Sequence, residues 1–264
     1  MLTTTVNDIQ LTFTEKGSGP AVLLLHGLTG NRHMFDEEVK VLQKYVRVIA
    51  PDLRGHGDST RPATYTLDSM IEDCVALIEE LGLSRLSIIG VSMGSYIAQA
   101  LAIRLGERVE KLVLVATKSS GKTSSMQALF ESHSEELEGL THNAKILKAS
   151  KYMYHDLQAV GQWSKEAAKK SDPMTADQIQ AANDALLGFD FKDELQRISA
   201  KTLVISGDHD QLNPAEEGRE TARLIPHATF AEFNESGHAP NVEQRLLYLD
   251  FILEFLEIER RQTP

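Results

Sequence analysis

The sequence predicts an α/β protein with a mostly parallel central sheet, helices on both faces of that sheet, and a helical insertion. Short apolar runs alternate with amphipathic stretches in the first part of the chain, a rhythm typical of strands joined by crossover helices. The rhythm stops after residue 117, and a strand pattern returns at residues 202–205. We therefore predict an α/β core formed by residues 1–117 and 198–264, with residues 118–197 inserted as a helical cap.

Apolar or alternating segments of the right length predict the strands. The first two flank the polar pair Asn7-Asp8, which indicates a tight turn between them. Residues 21–25 form a continuous apolar run, as expected of a strand buried on both faces of a parallel sheet. The predicted strands are residues 3–6, 9–15, 21–25, 46–50, 86–89, 111–116, 202–205 and 229–233.

Helical periodicity predicts the segments between these strands. In the stretch 69–81, Ser69 and Glu72 have the spacing of a capping box, and Gly82 stands where a helix C-cap is expected. The chain closes with a predicted helix over residues 242–258, whose apolar positions recur at helical spacing. The other predicted core helices lie near residues 33–44, 98–105 and 215–224.

Composition and charge exclude several classes of partner. The chain has 264 residues and a formal net charge of −11, which argues against binding to nucleic acid or to an anionic membrane surface. The single Cys74 excludes an intramolecular disulfide, and no Cys/His group has zinc-site spacing. Residues 1–5 lack the features of a signal peptide, and no apolar run reaches the roughly 20 residues that span a bilayer. We expect a cytoplasmic protein without a metal or cofactor, either monomer or homodimer.

The motif with the clearest chemical meaning is Gly90-Val91-Ser92-Met93-Gly94. It follows an apolar strand and precedes an alanine-rich helix, and glycines at both ends of the motif let strand and helix approach closely. Such a turn exposes the serine hydroxyl at the N-terminus of a helix, where free N–H groups favour developing negative charge. The motif therefore makes Ser92 a candidate nucleophile.

A serine hydroxyl needs a neighbouring base, usually histidine, and the base needs an orienting carboxylate. Loops at the carboxyl ends of strands are where such groups collect in open α/β sheets. The loop after the strand at 202–205 offers two carboxylates, Asp208 and Asp210, and the loop after the next strand carries His238. The order Ser…Asp…His fits a nucleophile turn followed by its acid and base.

Together these motifs resemble those of the α/β-hydrolase family, in particular its bacterial carboxylesterase-like branch. The likeness extends over nearly the whole chain and implies the α/β-hydrolase fold. The motifs that carry it are His26-Gly27, the loop Asp52-Leu53-Arg54-Gly55-His56-Gly57-Asp58-Ser59, the serine turn at 90–94, Gly207-Asp208-His209-Asp210 with Pro214, and Gly237-His238.

The resemblance implies a role for individual residues. Ser92 is expected as the nucleophile and His238 as the base. The family pattern Gly-x-x-Asp, four residues before a proline, selects Asp210 as the acid. The backbone N–H groups of Leu28 and Met93 are expected to hold the oxyanion of the tetrahedral intermediate.

The predicted cap gives the substrate class. Residues 118–196 contain no arginine, and the lysines there are offset by Asp and Glu, so the cap is not built to clamp a phosphate or a carboxylate. Most apolar cap side chains are expected to pack inside the protein. Phe130, Tyr152 and Trp163 are the candidates to line an apolar pocket above Ser92.

The resulting hypothesis is a serine carboxylesterase that hydrolyses small, uncharged, fairly apolar esters through an acyl-enzyme. Two other enzymes on the same scaffold stay open, a 3-oxoadipate enol-lactonase-like hydrolase and a C–C bond hydrolase. A ligand receptor without catalytic turnover is the alternative outside enzymes. A small-molecule ester is the expected partner, and the acyl-chain length is left open.

Overall fold

The computed structural model describes residues 1–258, so residues 259–264 of the predicted core lie outside the described part of the chain. Within it, the strands are β1 (Leu2–Val6), β2 (Ile9–Lys16), β3 (Ala21–Leu25), β4 (Arg47–Pro51), β5 (Leu86–Val91), β6 (Val109–Val115), β7 (Ser120–Gly121), β8 (Phe189–Asp190), β9 (Lys201–Gly207) and β10 (Ala228–Phe233). The helices are α1 (Asp36–Leu42), α2 (Leu67–Glu80), α3 (Met93–Leu105), α4 (Ser125–Ser132), α5 (Ser134–Leu137), α6 (His142–Met153), α7 (Leu157–Ala168), α8 (Ala176–Asp184), α9 (Ala215–Leu224), α10 (Pro240–Glu243) and α11 (Arg245–Phe255). Short 3₁₀ turns occur at Arg32–Phe35, Gly106–Arg108 and Lys192–Arg197.

Within residues 1–258, eight of the strands form one sheet in the order β1-β2-β4-β3-β5-β6-β9-β10. β1 and β2 pair antiparallel, as do β2 and β4, whereas the pairs from β4 to β10 are parallel. Parallel neighbours end at the same edge, and β3 and β5 end together because Leu25 is opposite Gly90. The loops after β3, β5, β9 and β10 therefore start from one edge of the sheet.

Side chains of the central strands fill two apolar layers, one on each face of the sheet. Along β3, Leu23 and Leu25 belong to the layer covered by α2 and α3, while Val22 and Leu24 belong to the layer covered by α1 and α11. This alternation follows from the two-residue period of a strand. The continuous apolar run at 21–25 is therefore the expected signature of a strand buried on both faces.

The chain between β6 and β9 holds α4 to α8, in the range predicted as a helical cap. It also contains a two-stranded antiparallel pair that was not predicted, in which Ser120 is opposite Asp190 in β7 and β8. Strands of two residues are too short to show alternation, so the sequence carries no period from which to infer them.

Two predicted helix boundaries are wrong. The N-cap of α2 is Thr66, whose side chain accepts a hydrogen bond from the N–H of Ser69, so Ser69 does not cap the helix. The predicted helix over 242–258 is two helices, because Gln244 between α10 and α11 has φ −124° and ψ 48°. A single non-helical residue leaves the apolar period almost unchanged, and the period cannot reveal it. Among residues 1–258, no helix is both long and apolar enough to cross a membrane.

Candidate active site

Ser92 occupies a sharp turn between β5 and α3. Its φ of 52° and ψ of −121° lie in a region that residues with a Cβ rarely adopt. The flanking glycines are required sterically: a Cβ on Gly94 would lie 2.0 Å from the carbonyl oxygen of Leu25, and one on Gly90 would lie 2.4 Å from the carbonyl oxygen of Gly94. The strained turn persists because the sheet and α3 hold both of its ends.

The structure brings Ser92, His238 and Asp210 together. The Oγ of Ser92 lies 2.9 Å from Nε2 of His238, and Nδ1 of His238 lies 2.7 Å from Oδ2 of Asp210. An ionised carboxylate only accepts, so Nδ1 carries the imidazole proton and Nε2 is free to accept the serine hydroxyl. The other oxygen of Asp210 accepts the N–H groups of Leu212 at 2.8 Å and Asn213 at 3.0 Å, which fixes the carboxylate.

The imidazole of His238 bonds Asp210 rather than the second candidate carboxylate, Asp208. Asp208 is exposed, and Nε2 of His209 lies 3.5 Å from its Oδ1. The ring of His209 stacks on His155, with 4.5 Å between the ring centres. The geometry thus separates two aspartates that composition alone could not.

His26 organises the loop after β3. Its Nε2 accepts the N–H of Leu53 at 3.1 Å, so its Nδ1 carries the proton and donates to the carbonyl of Gly27 at 2.8 Å. Burial lowers the pKa of His26 to about 4, which keeps the ring neutral in this role. The same Gly27 carbonyl accepts the N–H of Gly30 at 3.0 Å, and Thr29 inside this turn has a φ of 59°.

This turn places the candidate oxyanion donors beside the serine. A Cβ on Gly27 would lie 3.4 Å from Cβ of Ser92, so the loop backbone that continues into Leu28 runs close to the hydroxyl. Met93 is the first residue of α3, where helix geometry leaves the backbone N–H without an acceptor inside the helix. Both candidate donors are therefore backbone groups next to Ser92.

A cavity of about 600 Å³ lies above these groups. Leu28, Ser92 and His238 line it from the core, and Trp163 lines it from α7 while its ring N–H donates to the carbonyl of Met34 at 3.1 Å. The apolar side chains on its wall include Met126, Ile146, Leu157, Val160, Ile179 and Leu212. The cavity can hold a mostly apolar acyl group against the serine.

Two of the three predicted pocket residues do not line this cavity. Phe130 lines a separate surface depression and meets the edge of the His142 ring. Tyr152 stacks on His133 with 3.6 Å between ring centres, and its hydroxyl donates to Glu136. Both rings bury themselves against other cap residues instead of the substrate space. Only the packing of the cap helices decides between these two fates.

Sequence reasoning missed a buried polar group beneath the site. The side-chain N–H₂ of Asn213 donates to the hydroxyl of Tyr96 at 2.7 Å and to the carbonyl of Ala116 at 2.6 Å. Burial raises the pKa of Tyr96 to about 12, so its hydroxyl stays protonated. Asn213 thereby links the Asp210 loop to the end of β6. Its position next to Pro214 was the only sequence signal, and a weak one.

The part of the chain from 1 to 258 contains no group of three or more His, Cys, Asp and Glu side chains that could hold a metal ion. Residues 20–244 match the family model described as alpha/beta hydrolase fold. The chain belongs to the α/β-hydrolase family. The predicted family and fold class are therefore confirmed.

Relatives of this family with known activities cover most of the chain. The 3-oxoadipate enol-lactonase 2 of Acinetobacter baylyi is 30% identical over 250 residues, which are 92% of this chain and 91% of that protein. A pimeloyl-acyl-carrier protein methyl ester esterase of Nitrosomonas europaea is 29% identical over 238 residues, or 85% of this chain and 90% of its own. The enol-lactonase structure from Burkholderia xenovorans superposes with a TM-score of 0.81 at 25% identity, covering 97% of this chain and 100% of that one. These relatives support a hydrolase.

Proposed function

We propose that this protein is a serine carboxylesterase that acts on small, uncharged and fairly apolar esters. The observation that supports it is the chain of two hydrogen bonds, 2.9 Å from Ser92 to His238 and 2.7 Å from His238 to Asp210, at the floor of an apolar cavity. Neither bond alone makes a nucleophile. Together they give a hydroxyl with a base and a base with an orienting acid.

The geometry suits an acyl-enzyme mechanism. Ser92 Oγ attacks the carbonyl carbon of the ester while its proton moves to Nε2 of His238, and the N–H groups of Leu28 and Met93 hold the oxyanion. The bond to the alcohol oxygen then breaks, and the alcohol leaves with the proton from Nε2. Water gives a proton to Nε2 and attacks the acyl carbon, and the acid is released as Ser92 regains its proton. Asp210 holds the imidazole tautomer and stabilises its cation.

The test uses p-nitrophenyl esters of increasing acyl length. Ser92→Ala should lose roughly four or more powers of ten in kcat, because His238 then has no hydroxyl to deprotonate. Asp210→Asn should lose about four, because the imidazole is then held in the wrong tautomer. Ser164→Ala is the matched control, since Ser164 lines the same cavity without a bond to His238 and should leave kcat nearly unchanged. Undiminished turnover by the Ser92→Ala protein would end the proposal.

One observation favours a second candidate, an enol-lactone hydrolase. Lys165 lines the cavity, and no ion pair joins it to a carboxylate among the described residues. A 3-oxoadipate lactone uses one carboxyl group in the ring and keeps the other free, so an unpaired lysine offers that free group a partner. Opening a lactone needs the same triad chemistry, with acid and alcohol remaining in one product.

Paired substrates separate the two candidates. We compare an enol-lactone carrying a free carboxylate with its methyl ester, using wild type, Lys165→Ala and Lys169→Ala. Lys169 follows the last residue of α7, pairs with Glu166 and does not line the cavity. A lactonase prefers the carboxylate form and loses this preference only in Lys165→Ala. Preference for the neutral ester in all three proteins supports the carboxylesterase.

A further inference from the structure

Glu243, the last residue of α10, lies against the loop that carries His238. Its Oε2 accepts the backbone N–H of Gly237 at 2.8 Å and that of Ala239 at 3.1 Å. The hydroxyl of Ser236 lies 3.3 Å from the same oxygen. One carboxylate oxygen therefore holds the residues immediately before and after His238.

The other oxygen of Glu243 bonds the link between α6 and α7. Oε1 accepts the N–H of His155 at 2.6 Å and the N–H of Asp156 at 2.9 Å. These two residues lie in the predicted cap, more than eighty positions earlier in the chain than Glu243. The carboxylate thus fastens the base loop to the segment that roofs the cavity.

Neighbouring backbone bonds complete this joint. The N–H of His238 donates to the carbonyl of Met153 at 2.6 Å, and the N–H of Gln211 in the acid loop donates to the carbonyl of Tyr152 at 2.9 Å. The three consecutive N–H groups of residues 237–239 are therefore all held by Glu243 or by the end of α6. The loop has little freedom to turn the imidazole away from Ser92.

We propose that Glu243 is a positioning residue that holds the His238 loop in register with Ser92 and Asp210 and couples this register to the cap. This inference rests on the proposed hydrolase function. The five donors that converge on Glu243 suit a carboxylate, which only accepts. A glutamine there would turn its N–H₂ group towards the N–H groups of one side and leave those donors without an acceptor.

The experiment compares Glu243→Gln and Glu243→Asp with a matched control, Glu235→Gln. Glu235 is exposed in the same loop, so its variant removes the same charge without touching these bonds. The ester assay gives kcat and KM per active site, titrated with a fluorophosphonate so that unfolded protein does not count. The pH dependence of kcat/KM and the NMR signal of the His238 Nδ1 proton report the protonation and the hydrogen bonding of the imidazole. All variants keep the other ionisable groups near it, which are Asp210, Tyr154, His155 and His209.

Glu243→Gln should lower kcat by about a hundredfold with a smaller change in KM, because a base displaced by about 1 Å loses that much rate. The rise of kcat/KM with pH should move to lower pH. The variant removes a negative charge near the imidazolium of His238 and weakens the hydrogen bond between that imidazolium and Asp210, and both changes disfavour the protonated ring. Glu243→Asp keeps the charge but shortens the reach, so its kcat should fall to an intermediate value. Glu235→Gln should behave as wild type.

Two results overturn the inference. If both Glu243 variants keep the wild-type kcat per titrated site and the wild-type pH profile, even with a lower melting temperature, Glu243 is structural only. If Glu243→Asp equals wild type while Glu243→Gln is impaired, charge and not position is what matters. Failure of the proposed function looks different, because wild type and Ser92→Ala then hydrolyse the ester equally.

Discussion

Residues other than glycine have positive φ angles near several strand ends, a conformation that is uncommon for any residue with a Cβ. Four of them are Thr29 with φ 59°, Ser92 with 52°, Ala116 with 50° and Glu235 with 63°. All four follow strand ends at the same edge of the sheet, in the oxyanion turn, the serine turn, the end of β6 and the base loop. Each such residue costs about 1–3 kcal/mol and is kept only where its surroundings leave no other choice. At the residue scale, backbone strain therefore gathers around the proposed active site.

The approach of α3 to β3 supports a prediction at this scale. Gly94→Ala places a methyl group 2.0 Å from the carbonyl oxygen of Leu25, so the helix must shift away from the strand. We expect a loss of about 1–3 kcal/mol of unfolding free energy, measured by urea denaturation, and a reduced kcat because Ser92 moves with the helix.

Gly161 provides the control for this substitution. It lies within α7, and a Cβ there meets no atom within 4 Å. Gly161→Ala should raise the unfolding free energy by about 0.5–1 kcal/mol, because alanine loses less conformational entropy in a helix. Equal stability of the Gly94→Ala protein and wild type would contradict the steric reading of the serine turn.

At the scale of the single element, the start of α2 is set by Thr66. Its Oγ1 accepts the N–H of Ser69 at 3.1 Å. Thr66→Ala should therefore cost about 1 kcal/mol of unfolding free energy, while Ser69→Ala, which removes the residue that the sequence pattern had favoured as cap, should cost less. Thermal unfolding of the two variants compares them directly, and a larger loss in Ser69→Ala would show that the cap is assigned to the wrong residue.

The elements that the sequence predicts well have a period that burial imposes. β3 and α9 have the predicted bounds because a twice-buried strand is apolar throughout and an amphipathic helix repeats over several turns. The break at Gln244 and the pair β7–β8 were missed because each depends on one or two residues. Local propensity is too weak at that length to compete with tertiary contacts.

The site divides in the same way. The residues of the candidate triad and the oxyanion turn could be named because each lies in or at the start of a loop that follows a strand and has a recognisable neighbour, such as the glycines around Ser92. The pocket could not, because Phe130 and Trp163 look alike as apolar cap residues and differ only in the direction that their helices face. Glu243 could not be named because two of its five donors, the N–H groups of His155 and Asp156, lie in a distant segment, and no local pattern marks the other three as its partners.

At the scale of the whole molecule, the buried side chains of His26, His56 and Glu38 couple folding to pH. Burial lowers the pKa of His26 to about 4 and that of His56 to about 3, so both histidines stay neutral in the folded protein. Their ordinary pKa is higher, so the unfolded chain binds protons first and their contribution to stability falls as the pH drops below about 6.5.

Glu38 acts in the opposite direction. It lies in α1 and is only 4% exposed, and its carboxyl accepts the side-chain N–H₂ of Asn241 at 3.1 Å. Burial raises its pKa from 4.5 to about 7, so between these values the folded protein holds a proton that the unfolded chain has lost. Raising the pH through this window therefore destabilises the fold, by about 3 kcal/mol once the folded carboxyl is ionised.

Glu38→Gln should remove this dependence, because glutamine has nearly the shape of the protonated acid and never ionises. Urea denaturation at pH 4, below this window, should give similar unfolding free energies for variant and wild type, and at pH 8.5 the variant should be more stable by up to about 3 kcal/mol. The histidine contributions are the same in both proteins and cancel from the difference.

Glu37→Gln is the control. Glu37 directly precedes Glu38 and pairs with Lys40 at the surface, so its variant should differ from wild type by the same small amount at both pH values. A Glu38→Gln protein whose difference from wild type does not grow with pH would mean that Glu38 is ionised in the folded state well below pH 7.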